Sequence, residues 1–179
     1  LSGYIFCAKS PTCRMERVKV YYEHQKGCRH DGVGVYAAEI MKNHPNLPVE
    51  ENGRLNDPHL RENFVIRIFA YHRWQNLMAV GLDSKHQIIK FHAEHKYMLM
   101  SHKPAVYKAL GNYLGTSSES LDVLAENYIS HFMHGLKYHA TRKQHANTLY
   151  HLQGYFKQQL SKVQKAKLVD CIEEYRRGL

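Results

Sequence analysis

The densest chemistry in the sequence lies in Lys9-Ser10-Pro11-Thr12-Cys13-Arg14. A proline-stiffened turn directly after an apolar strand presents a hydroxyl and a thiol at the strand's carboxyl end, where sites of α/β folds gather. Lys9 and Arg14 favour a thiolate at Cys13, the form that attacks an electrophile or binds a metal. The plainer alternative is a partly buried free cysteine in a turn. Cys7 and Cys28 supply two more sulfurs, but separations of six and fifteen residues from Cys13 match no compact metal motif. Cys171, one residue before an apolar Ile172, reads as structural.

A second concentration of polar residues spreads over two helical stretches, Phe91 to Tyr97 and Thr141 to Phe156. His92 and Lys96 lie one helical turn apart, as do Asn147 and His151, so each pair is expected to face a shared groove. With His95, Arg142 and His145 they outline a polar or anion-binding site. A metal held by His92, His95, His145 and His151 would lack a carboxylate at ligand spacing, because Glu94 faces away from His92. Polar contacts between helices, or an anion held by Lys96 and Arg142, suit these residue types better. The remaining histidines read as a solvated face.

The elements that must position these groups follow from length and pattern. With 179 residues, 44% hydrophobic and 23% charged, the chain can bury a real core, and collagen-like, disordered and low-complexity classes fall away. No uninterrupted run of eighteen apolar residues exists and the N-terminus lacks a basic-then-apolar signal pattern, so no membrane span and a cytoplasmic protein are expected. Four cysteines are too few and too scattered for a secreted disulfide scaffold. The formal charge of +9 suggests an anionic partner, and it is uneven: residues 1–57 carry 8 basic and 7 acidic side chains, residues 58–179 carry 17 and 9.

A boundary falls at Asp57. Before it, Tyr4-Ile5-Phe6 and Val18-Lys19-Val20-Tyr21 read as short strands, and Gly34 to Met41 as a short helix stopped by Pro45 and Pro48. After it the pattern is helical. Asp57 and Pro58 open a helix with Leu60, Phe64, Ile68 and Phe69 on one side, ending near Gly81. Ser84 with Gln87, Thr116 with Glu119, Thr141 with Gln144, and Ser161 with Gln164 have capping-box spacing, and Pro104 starts a helix running to about Leu114. Leu121, Leu124, Ala125, Tyr128, Ile129, Phe132, Met133 and Leu136 form the stripe of a helix packed along its length. Leu149, Leu152, Phe156 and Leu160 give a narrower stripe, as do Leu168, Ile172 and Tyr175. The expectation is a mainly α protein: an antiparallel bundle of five or six helices at 58–179, preceded by an incomplete α/β segment at 1–57.

Residues 58–179 resemble the YbgA-type helical domain, a bacterial domain of unknown function, at Phe91-His92, His95-Lys96, Met100-Ser101-His102, Tyr107, Leu110-Gly111 and the run from Thr141 through Gly154-Tyr155-Phe156. Residues 3–57 resemble the end of the domain that precedes it in two-domain family members, at Gly3-Tyr4-Ile5, Ser10 to Cys13, Met15 to Val18 and Leu47 to Leu55. That preceding domain is similar to thiouracil desulfidases of the TudS type. In that family three cysteines hold a four-iron four-sulfur cluster whose open iron takes the sulfur of a thiolated base. Carried over, Cys13 matches the last of the three metal ligands and Ser10 belongs to the loop that supplies a catalytic hydroxyl, while Arg14 stands where the family has a glycine. The other two ligands and a catalytic glutamate would precede Leu1.

The resemblance therefore implies the C-terminal portion of a two-domain protein. Its parent would be an iron–sulfur desulfidase of thiolated nucleobases or nucleotides, with the helical part as a basic accessory or substrate-binding module. The chain alone is expected to be inactive and to hold no cluster, and both ends are expected to be trimmed. The strand at Tyr4–Phe6 is then expected to be an orphan edge, disordered, docked on the bundle, or paired with another chain. The alternative from another class is a non-enzymatic module in which Lys90, Lys96, Lys103, Arg142 and Lys143 contact phosphates of RNA or DNA. A third reading places an enzyme site at His92, Lys96, His145 and His151.

Overall fold

The computed structural model describes residues 1–23 and 26–179, and among them the protein is mainly α, with seven α-helices and four short strands. The chain packs as two units, Leu1–Leu82 and Asp83–Leu179. The helix that opens at Asp57 belongs to the first of them.

In the first unit, β1 (Tyr4–Phe6) pairs in parallel with β4 (Val49–Glu51), Ile5 standing opposite Glu50. This corrects the expectation of a first strand that is orphaned, disordered or paired with another chain: β1 has its partner within the same chain. The chain leaves β1, passes through α1 (Val35–Asn43) and returns beside its own start, the route by which parallel strands are joined. Tyr4 N–H donates to Pro48 O at 2.9 Å, and Asn52 N–H donates to Phe6 O at 2.9 Å, closing both ends of the ladder. Phe6 is buried beside the rings of Tyr4 and Tyr36. Between β1 and α1 lies a hairpin of β2 (Val18–Tyr21) and β3 (Cys28–Gly32), its register broken between Val18 and Val20.

The next helix, α2 (Pro58–Val80), begins as its sequence dictates: Asp57 Oδ1 accepts from His59 N–H and Leu60 N–H, and proline occupies the first turn. Gly81, at φ +96°, ends it in a conformation that glycine adopts without strain. Its buried positions are Asn63, Phe64, Arg67, Ala70 and Trp74. Phe69, expected on the core side, is 56% exposed. The stripe that counts apolar residues misses this face because two of its members are polar. Gln75 Nε2 donates to Leu1 O at 3.0 Å and Ser2 Oγ donates to Gln75 Oε1 at 2.8 Å, so the N-terminus lies along this helix.

The second unit contains α3 (Lys85–His102), α4 (Pro104–Thr116), α5 (Leu121–Leu136), α6 (Arg142–Gln153) and α7 (Lys162–Arg177). Its core is α5, where Leu124, Ala125, Tyr128, Ile129, Phe132, Met133 and Leu136 are all buried, and α3 packs against α4, α5 and α6. Capping boxes open α3, α6 and α7 at Ser84, Thr141 and Ser161. Thr116 and Glu119 form none: Thr116 ends α4, bonding Asn112 O, while Glu119 accepts from the Tyr113 hydroxyl and Ser120 precedes α5. The Leu149 stripe also differs. α6 stops at Gln153 in a 3-10 turn over Gly154–Phe156, Phe156 is 47% exposed, and Ala146 and Thr148 are the buried residues of α6. Cys171, expected to be structural, is exposed.

Candidate functional site

The loop after β1 is held by its own backbone and by one side chain. Ser10 N–H donates to Cys7 O at 3.3 Å and Arg14 N–H to Ser10 O at 2.9 Å, while Ser10 Oγ accepts from Cys13 N–H at 3.2 Å. Hydroxyl and thiol are thereby fixed on one turn at the carboxyl end of β1. The turn is clamped from two sides. Thr12 O accepts from Tyr36 N–H at 3.1 Å and Ala37 N–H at 3.4 Å, satisfying donors that α1 leaves open at its start, where Gly34 offers no side-chain cap. On the other side, buried Glu51 accepts from Met15 N–H at 2.9 Å and lies 3.9 Å from Arg14 Nε. A concave space of about 540 Å³ flanks the loop, with Lys9, Ser10, Arg14 and Lys19 in its wall.

All four cysteines are free thiols. Cys13 is half-buried, near enough to Tyr4 that its charge adds to the rise of that phenol, which follows first from the Tyr36 hydrogen bond and then from burial. Cys28 Sγ lies 3.7 Å from His30 Nε2. Among the described residues no three His, Cys, Asp or Glu side chains come together as a metal-binding group. Among the described residues Cys7, Cys13 and Cys28 are not gathered into one group, so no set of three thiolates stands ready for a four-iron cluster.

In the second unit the residues singled out from sequence are distributed over separate surroundings. His92 is buried, its Nδ1 3.2 Å from the Tyr128 hydroxyl and its ring parallel to Tyr107. Burial, then the charges of Lys96 and His95, hold its imidazole below the ordinary histidine range. His95 is also buried, stacked on Phe91 at 4.1 Å with Nδ1 2.8 Å from Phe91 O. Asn147 and His151 are exposed, as is Arg142, whose guanidinium lies against Gly178 at the end of α7. Among the described residues no hydrogen bond joins His92, Lys96, His145 and His151 to one another.

The structure does form a groove between α3, α6 and α7. It is open to solvent, with about 380 Å³ of space against Tyr97, Met98, His145, Leu149, Leu152 and Tyr175. His145 Nδ1 lies 2.6 Å from the Tyr175 hydroxyl, with the two rings nearly parallel. The Tyr97 hydroxyl donates to that of Tyr155 at 2.6 Å, and the Lys96 ammonium lies near the Tyr155 hydroxyl. Burial and this donation push the Tyr97 phenol up to about 12, whereas the bond from Tyr97 and the Lys96 ammonium pull Tyr155 below the ordinary phenol range. Sequence reasoning found Lys96 and His145 but missed the three tyrosines. Tyr97 adjoins Lys96 and Tyr155 follows His151 by four residues, but tyrosine alone gives no spacing signal.

Residues 96–179 match a family described as a protein of unknown function, DUF1722. Over 119 residues the chain is 29% identical to the uncharacterized protein YbgA of Escherichia coli (strain K12), covering 65% of this chain and 70% of that protein. No solved structure matches the chain.

Proposed function

From the premise that the chain carries a YbgA-type domain of unknown function, we propose that this domain serves a desulfidase of thiolated nucleobases or nucleotides. Residues 3–57 supply part of its active site, and the helical part is a basic substrate-binding module. The supporting observation is the loop after β1. Ser10 Oγ and Cys13 share one hydrogen-bonded turn at the carboxyl end of a strand in a parallel pair, the location that α/β folds give to sites. Cys13 is one ligand of a four-iron four-sulfur cluster whose other ligands lie in chain outside residues 1–179, and Ser10 is the catalytic hydroxyl. The free thiols suit a reducing cytoplasm.

Anaerobic reconstitution with iron and sulfide tests this. Residues 1–179 alone are expected to give no stable four-iron absorption band, and a gene product with two further cysteines ahead of Leu1 is expected to give one that Cys13→Ala removes. A band from residues 1–179, or a gene product without those cysteines, overturns the reading.

A second reading, a nucleic-acid-binding module, draws on the 14 Lys and Arg against 8 Asp and Glu in residues 83–179, with Lys90, Arg142 and Lys143 exposed. Its mark is affinity that falls steeply with salt as counterions are released. No binding to tRNA or duplex DNA at low salt removes it.

A further inference from the structure

We propose that the groove between α3, α6 and α7 binds a planar aromatic small molecule that carries a carboxylate or comparable acidic group on its edge. Its volume, about 380 Å³, is in the range of small-molecule sites rather than of a packing defect. Three of its six principal wall residues are flat rings, Tyr97, His145 and Tyr175, and the others are Met98, Leu149 and Leu152. Rings favour a flat guest they can stack on or meet edge-on, and the thioether of Met98 adapts to either. The two hydroxyls also in the wall already donate to their own helices: Ser101 Oγ to Met98 O at 2.7 Å and Thr148 Oγ1 to Gln144 O at 3.0 Å. They present no donor to a guest. Most of the groove is therefore apolar in what it offers.

One charged group lies just outside this wall, beside Tyr97. Lys96, next to Tyr97 in the chain, places Nζ 5.2 Å from the Tyr97 ring centroid and lies near the Tyr155 hydroxyl. Among the described residues it makes no ion pair with a carboxylate. Its neighbour Glu94 lies on another face of α3. An ammonium surrounded by phenols and lacking a counter-ion beside an apolar slot calls for an anion on the guest, and an acidic edge group would complete the cluster. This inference stands independently of the desulfidase reading, since it uses no residue of the first unit and needs no cluster.

The test titrates residues 1–179 with 1-naphthoate and with neutral 1-naphthalenemethanol, followed by NMR and by calorimetry. One-to-one saturation is expected, with 1-naphthoate binding about fivefold more tightly than the alcohol, as one half-exposed charge pair supplies. Lys96→Met should bring 1-naphthoate to the affinity of the alcohol. Leu149→Trp, at a position 38% exposed and so able to take the larger ring without disturbing the core, should fill the groove and abolish binding of both. Circular dichroism checks the fold of each variant, and Lys96→Met decides alone where Leu149→Trp does not fold. No saturation in the unmodified chain, equal affinity for the two probes, or 1-naphthoate binding unchanged by either substitution in a folded variant overturns the proposal.

Discussion

Arg54 Nε lies 2.6 Å from Glu50 Oε1, and Nη1 of the same guanidinium lies 2.7 Å from Glu16 Oε1. Glu50 is buried in β4 and Glu16 precedes β2, so one arginine ties the parallel pair to the far end of the Ser10–Cys13 loop. Removing it leaves buried Glu50 with its bond from the Glu51 N–H and the nearby charge of Arg67 but without its ion pair. A fully buried broken pair costs about 3–5 kcal/mol, but the Arg54 side chain is 36% exposed, which discounts that figure strongly. Arg54→Met is expected to lower the unfolding free energy by about 1–2 kcal/mol in urea. Glu16→Gln, at an exposed carboxylate, should cost less than about 0.5 kcal/mol. Equal losses in the two variants would contradict this assignment.

The second prediction concerns Gly34. A Cβ built there would lie 2.2 Å from Thr12 O and 2.8 Å from Pro11 O, both backbone atoms that cannot swing aside. Replacing glycine by alanine ordinarily stabilises by about 0.4–1 kcal/mol through the unfolded chain. Here the clash dominates, and Gly34→Ala should lose about 1–3 kcal/mol, as overpacking does. Because the displaced atoms belong to the turn that carries Cys13, its thiol should also react faster with a disulfide reagent, read as the rate of thionitrobenzoate release against a Cys7→Ser, Cys28→Ser and Cys171→Ser background.

The two clamps show why some of this protein was legible in its sequence and some was not. Asp57, Pro58 and Gly81 bound α2 by local chemistry alone, and the stripe from Leu121 to Leu136 is buried as its period requires. The pairing of β1 with β4 is hidden in the sequence, because adjacent Glu50 and Glu51 carry no apolar signal of a buried strand although both are buried. Glu50 is balanced by Arg54, four residues on, and by the Glu51 N–H, while Glu51 depends on distant chain, the Met15 N–H and Arg14. Likewise the one-turn spacing of Asn147 and His151 led to the expectation that they face a shared groove, but both are exposed and neither lines the groove, because nothing in spacing says which face turns inward. The packing of Ala146 and Thr148 decides that, and it leaves His145 on the groove.

At that groove the hydrogen-bonded phenols should titrate apart. Tyr97 is held up at about 12 and Tyr155 lies below the ordinary phenol range, so the two should give separate steps in a titration of ring-carbon-labelled tyrosine. Lys96→Met removes an ammonium that favours the Tyr155 phenolate, and the lower step should move upward. Tyr97→Phe removes the donor to Tyr155 and should move the same step upward as well. Should the lower step stay in place in both variants, the contacts drawn at this end of the groove are wrong.

The buried imidazole of His92 makes stability depend on pH, and the sign follows from its surroundings. Tyr128 and Tyr107 enclose the ring, burial disfavours its charged form, and Lys96 and His95 add repulsion, so the folded state holds His92 neutral to a lower pH than the unfolded chain does. Below the unfolded value of about 6.5 the unfolded state takes up a proton that the folded state refuses. Stability contributed by neutral His92 is therefore full above about pH 6.5 and falls as pH drops toward the depressed folded value, at a limiting slope of about 1.4 kcal/mol per pH unit. His92→Gln keeps a polar partner for the Tyr128 hydroxyl and removes the titration. Urea unfolding at pH 7.5 and 5.5 should show a larger loss for the unmodified protein than for His92→Gln. In NMR the His92 ring signals should stay those of a neutral imidazole below pH 6.5. Identical pH dependence in the two proteins would place the acid sensitivity on other groups.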